Sequence, residues 1–202
     1  MAFFEPPPPP PEPAPHRQPE WIGPPENVLP GVFPLSLVLA RTDDVALAIS
    51  NGLAFANGFS FTLTILLREP NDRAMHRWHM AGELDDDVLR FGIRFADGSK
   101  ATTFDMRRHF GSAHAPDGPV LMPRGGGGGG RSWNTGYWVW PLPPRGPFGF
   151  VCEWPRYGIA QTEVEIDTAP IHDAAARAEA LWPDDDGPSG SSGGSIQIEQ
   201  TR

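Results

Sequence analysis

The sequence predicts a mainly β protein: a two-layer antiparallel β-sandwich of about eight strands with one C-terminal helix. Three observations predict it. Residues 58–68, 89–96 and 148–154 alternate strictly, with Phe59, Phe61, Leu63, Ile65 and Leu67, then Leu89, Phe91, Ile93 and Phe95, then Phe148, Phe150, Cys152 and Trp154 on one side of each segment. A period of two puts successive side chains on opposite faces of a sheet, so each segment has one buried and one wetter face. Turn-forming pairs separate these segments, and a single stretch near the C-terminus has helical character.

Taken in order, residues 32–41 read as a first strand, with Leu35, Leu37 and Leu39 on one face. Val45, Leu47 and Ile49 form a second, and the pairs Asn51-Gly52 and Asn57-Gly58 are expected as turns. Residues 58–68 are the third strand, followed by a charged loop over residues 69–87 and the strand at Leu89. Asp97-Gly98 is a short-hairpin signal, because both residue types tolerate positive φ, and it leads into residues 100–104. Residues 105–130 read as irregular, with a short apolar stretch Val120-Leu121-Met122 and six glycines at 125–130 expected as a flexible loop. Residues 133–142 and 147–154 are expected to pair, and Thr162, Val164 and Ile166 mark a last strand.

The helix is expected over residues 169–182. Thr168 can cap it, Pro170 suits its first turn, and Ile171, Ala174, Ala178 and Leu181 form one stripe. The domain organisation follows from composition. Residues 1–30 are a Pro-rich extended arm, with six consecutive prolines at 6–11, a run that lacks backbone donors and prefers polyproline II. Residues 31–182 are the sandwich domain, and residues 183–202 read as a disordered Gly/Ser/Asp tail.

Composition excludes several function classes. A net charge of −9, with one lysine (Lys100) and scattered arginines, opposes a nucleic-acid surface, which needs clustered cations to displace counterions. Arg107-Arg108 is the densest basic spot and reads as a solvated loop. The acidic balance also repels anionic membranes. The single cysteine, Cys152, rules out an internal disulfide and a cysteine-rich zinc site, and its place on an apolar strand face makes it a core residue. Residues 1–5 lack a basic n-region and an apolar stretch, so no secretory leader is expected and the cytoplasm is the expected compartment.

Several phrases are distinctive: the opening Met-Ala-Phe-Phe-Glu with its polyproline run, residues 23–28, residues 118–123, Trp138-Val139-Trp140-Pro141 and Val151-Cys152-Glu153-Trp154-Pro155. Through them the chain resembles a group of actinobacterial proteins with a polyproline N-terminus and no assigned activity. Its arginine preference and its Ala, Pro, Gly and Asp content fit a high-GC bacterial genome. The resemblance implies an origin and a compartment, and it transfers no functional residues.

Four features remain as candidate chemistry. Trp138 and Trp140 share a face of one strand, where two indoles can stack on sugar rings or grip a proline-rich partner; the plainer reading is a face shielded by the arm. The polyproline arm, tipped by Phe3 and Phe4, can dock in an aromatic-lined groove or serve as a spacer. The glycine run followed by Arg131-Ser132 lacks the lysine of a phosphate cradle. His76 with His79, and His109 with His114, have spacings that allow a shared metal beside Asp85, Asp86 and Asp87, yet flanking arginines oppose a divalent cation. No catalytic residue, metal site or cofactor is assigned. The expected function is a non-enzymatic cytoplasmic protein–protein interaction or structural module using Phe3, Phe4, Trp138 and Trp140. The alternatives are a metal-dependent enzyme centred on the histidine loops and a carbohydrate-binding module.

Overall fold

The computed structural model describes residues 18–70, 85–105 and 115–182. The histidine pairs His76/His79 and His109/His114, the Arg107-Arg108 pair, Phe3, Phe4, the polyproline run and residues 183–202 lie outside the described residues.

Two antiparallel sheets form the sandwich. The larger contains β2 (Gly31–Arg41), β3 (Val45–Phe55), β4 (Gly58–Leu67), β7 (Val120–Gly129) and β8 (Ser132–Trp140), in the order β2-β3-β4-β8-β7. The smaller contains β5 (Arg90–Arg94), β6 (Lys100–Thr102), β9 (Pro147–Trp154) and β10 (Ile159–Asp167), in the order β10-β9-β5-β6. A separate two-stranded ribbon joins β1 (Val28–Leu29) to β11 (Glu179–Ala180), and helix α1 (Ala169–Ala175) precedes it. The predicted fold class is therefore the observed one, with one change in pairing. Residues 133–142 and 147–154 were expected to pair with each other, but β8 pairs with β4 and β7 while β9 pairs with β5 and β10, so the chain crosses between the layers after Trp140.

The alternating faces meet in the middle. Leu47, Ile49, Phe59, Phe61, Leu63, Ile65, Tyr137 and Val139 of the larger sheet face Phe91, Ile93, Phe148, Phe150, Cys152 and Trp154 of the smaller, all within one buried cluster. Phe61 is the hub: its ring lies 6.0 Å from Phe91 and 5.0 Å from Phe150 across the layers, and 5.5 Å from Tyr137 within its own sheet. Such edge-on and offset aromatic contacts add to the burial of large apolar area.

Two turn signals act as predicted. Ala56 and Asn57 connect β3 to β4, with Phe55 opposite Gly58, and Gly98 at φ 84° closes the Asp97-Gly98 turn between β5 and β6. Asn51-Gly52 does not turn. It is a bulge inside β3, where the register to β4 shifts between Ser50 and Leu53 and Asn51 takes φ 60°.

The glycine run is also a correction. Residues 126–129 pair with β8, from Gly126 opposite Thr135 to Gly129 opposite Ser132, so most of the expected loop is strand. The ladder is made by the backbone and needs no side chains. A Cβ at Gly126 would collide with the backbone of Asn134, and one at Gly128 with that of Ser132, so close strand approach requires glycine at both.

The helix is shorter than its composition suggests. It starts after Thr168, whose hydroxyl does not cap it; that oxygen instead binds Gly146 in the loop before β9, and the Asp167 carboxylate accepts the Ala169 N–H. Ile171 and Ala174 are buried, but the chain leaves the helix after Ala175 and becomes extended, with Leu181 N–H donating to the Asn27 carbonyl. Beyond Ala174 the helical stripe has no core to face, whereas β1 offers a backbone partner.

Replacing the hub is expected to be costly. Phe61→Ala should lower the unfolding free energy by about 3–5 kcal/mol, read as a drop in the urea midpoint with an unchanged m-value. A loss under about 1 kcal/mol would show that the two layers do not depend on this ring.

Candidate functional site

The aromatic strand was the leading candidate, and the structure divides it. Tyr137 and Val139 enter the main core, while Trp138 and Trp140 point to the outer face of the larger sheet, as their alternation requires. That face is covered. Trp21 is 3% exposed and packs with Phe55, Val120, Met122 and Trp138 in a second cluster. Trp138 is 0% exposed, its ring 5.5 Å from Phe55, and its indole N–H donates to the Glu20 carbonyl at 3.0 Å. The Trp138 indole is thus buried with its donor used, and it anchors Glu20 and Trp21 on this face. Trp140 is only half-buried, in a cleft shared with Pro116, Pro119, Pro141 and Pro144.

The covering segment belongs to the stretch assigned to the arm. Residues 19–22 form a turn, with Ile22 N–H bonded to the Pro19 carbonyl, and Arg124 donates to the Ile22 carbonyl. Among the described residues, packing on the sandwich thus includes Trp21, within the stretch 1–30 expected as the arm. Its apolar signal, Trp21-Ile22, is visible in the sequence, but its docking surface is assembled from three strands.

The Asp85–Asp87 turn is structural. Asp86 pairs with Arg90 at 3.7 Å, and Asp87 pairs with Arg156 at 2.6 Å while its carbonyl accepts the Trp154 indole N–H. Among the described residues, no three His, Cys, Asp or Glu side chains are grouped to hold a metal.

Sequence reasoning missed the outer face of the smaller sheet. There Gly92 lies between Thr102 of β6 and Val151 of β9, and Val151 lies opposite Glu163 of β10. The missing side chain at Gly92 leaves an open groove of about 270 Å³, walled by Arg90, Arg94, Lys100, Phe104, Glu153 and Glu163. Two ion pairs span it, Arg90 to Glu153 at 2.6 Å and Arg94 to Glu163 at 2.7 Å. Arg90 Nε is buried there without a hydrogen-bond partner among the described residues. These groups can hold a polar ligand, but its binding must compete with ion pairs that already satisfy each other. A period-two pattern of charges at Arg90, Arg94, Glu153, Glu163 and Glu165 is the signal that marks this face in the sequence.

Cys152 lies at the groove's level with its side chain in the core, 1% exposed, and burial pushes its thiol up to about 11. It is a core residue, as its strand position predicts.

No helix among the described residues is long and apolar enough to cross a membrane. No protein-family model, no curated protein and no solved structure matches the chain.

Two outcomes follow. Trp21→Ala should cost about 3–5 kcal/mol and shift tryptophan emission to the red as Trp138 meets water; unchanged emission would mean that Trp21 does not seal the face. Cys152 should resist alkylation at pH 8 in the folded protein and react once it is unfolded. Because folding raises its pKa, the associated stability is present below about pH 9 and declines as pH rises towards about 11. Cys152→Ala should lack that part of the alkaline decline, seen in urea midpoints at pH 8 and 10.5; an identical decline in both proteins would exclude the thiol as its source.

Proposed function

We propose that this chain is a non-enzymatic, cytoplasmic β-sandwich that works through protein–protein contact, with the Pro-rich arm as its recognition element. The observation that carries the reading is the anchor. Trp21 buried against Trp138, with Glu20 bonded to the same indole, fixes the base of the proline-rich segment on the outer face of the larger sheet. The arm is thereby presented from a defined point on a rigid scaffold. A polyproline run loses little conformational entropy on binding, because its preferred unbound form is already the extended one that aromatic-lined grooves accept. Phe3 and Phe4 add apolar contacts at the tip, and the accessible part of Trp140 lies on the face that holds the anchor. The net charge of −9 favours a protein partner over nucleic acid or an anionic membrane.

The test removes the arm while keeping its anchor. A chain lacking residues 1–17 retains Trp21, whereas a cut at residue 30 would also strip the second cluster. Crosslinking capture from a cell extract should yield a protein with the full chain and lose it with the truncated chain. A synthetic peptide of residues 3–15 should compete for it. Equal capture by both chains, or no competition by the peptide, would sink the arm as the recognition element.

A further inference from the structure

We propose that the open edge of the larger sheet, strand β7, is the docking site for the chain's own C-terminal segment, residues 195–200, which adds to it as a further strand. A sheet edge presents unpaired backbone donors and acceptors, a template for any extended chain that can reach it. Among the described residues β7 is the terminal strand of its sheet, and residues 124–129 are exposed. Natural edges are commonly blunted by charges, prolines or bulges. Here Pro123 and the register shift between Pro123 and Gly126 lie at one end, and residues 125–129 carry no side chain at all. Of these five glycines the fold itself explains three, Gly125 through its φ of 87° and two through packing. Gly126 and Gly128 are required by β8, but a Cβ at Gly127 or Gly129 would meet nothing within 4 Å. Close approach by another backbone accounts for a glycine at such positions.

The occupant follows from pattern, charge and reach. Residues 195–200 read Ser-Ile-Gln-Ile-Glu-Gln, alternation suited to a strand with one apolar face. On β8, Trp133 lies opposite Gly128 and beside the core residue Ile65, and it is only partly buried. A strand added beyond β7 would set Ile196 and Ile198 about 10 Å from β8, a gap that an isoleucine and an indole bridge between them. Arg124 and Arg131 bracket the glycines; Arg131 already pairs with the exposed Glu69 at 3.5 Å, and Glu199 supplies a second carboxylate for this positive edge. The same arginines disfavour β7 pairing with β7 of a second copy, since antiparallel pairing centred on the glycines sets Arg124 against Arg131. Reach is sufficient. Asn27 holds the Trp182 carbonyl, and Ile22, five residues before it, touches Arg124 at the start of the run. Residues 183–194 extend to about 40 Å.

The experiment is hydrogen exchange of the peptide spanning residues 124–132 in three proteins: the full chain, a chain ending at Gly194, and the full chain with Ile196→Asp and Ile198→Asp. All are checked for mass in solution. The proposal expects the β7 amides to exchange about tenfold or more slower in the full chain than in the other two, with all three monomeric. Equal exchange in the three proteins overturns it. So does protection that appears only in a dimer of the full chain, which would place the tail on a second copy.

Discussion

The contact on which the rest of the structure depends is the aromatic packing between the two layers, centred on Phe61. Its ring touches Phe91 and Phe150 of the smaller sheet, Tyr137 of β8 and Phe59 of its own strand, so one side chain ties three strands to β4. Phe148 repeats the arrangement one step along, packed on Phe59, Phe95 and Phe150. With both inner faces committed to this interior, the orientation of every other residue on these strands is set. Each strand must turn its alternate positions outward, and the two outer faces become the surfaces on which function can be built.

Those outer faces are treated differently. On the larger sheet the outward residues include Trp138 and Phe55, too apolar to leave in water, and Trp21 seals them. On the smaller sheet they are Arg90, Arg94, Glu153, Glu163 and Glu165, which remain accessible and pair among themselves. The sealed face joins the Pro-rich segment to the sandwich, and the open one is a charged groove floored by Gly92 and Val151. The covered face therefore holds Trp21 on the sandwich, with Trp138 as its seat.

Legibility in the sequence followed the range of the interactions. Residues 59–65 are readable because buried apolar residues alternate with outer ones, and Cys152 is placed in the core by the same logic. Asn51-Gly52 misled because a bulge and a turn need the same backbone freedom, and only pairing with β4 tells them apart. The glycine run misled for a related reason. Strand signals are carried by side chains, and this strand has none, so its pairing with β8 was invisible. Helix α1 was overextended because alanine favours a helix locally, whereas the hydrogen bond from Leu181 to Asn27 depends on a residue far away in the chain.

The fold class, the inward face of the regular strands and the burial of Cys152 could be read from the sequence. These follow from periodicity and composition, which act over a few neighbouring residues. Only the tertiary structure decided that β8 and β9 belong to different layers, that Trp138 is an anchor, and that Gly92 opens a groove between charged strands. Each of these depends on segments that meet after folding, and the free energy of burying Trp21 against Trp138, residues far apart in the chain, is written in neither segment alone.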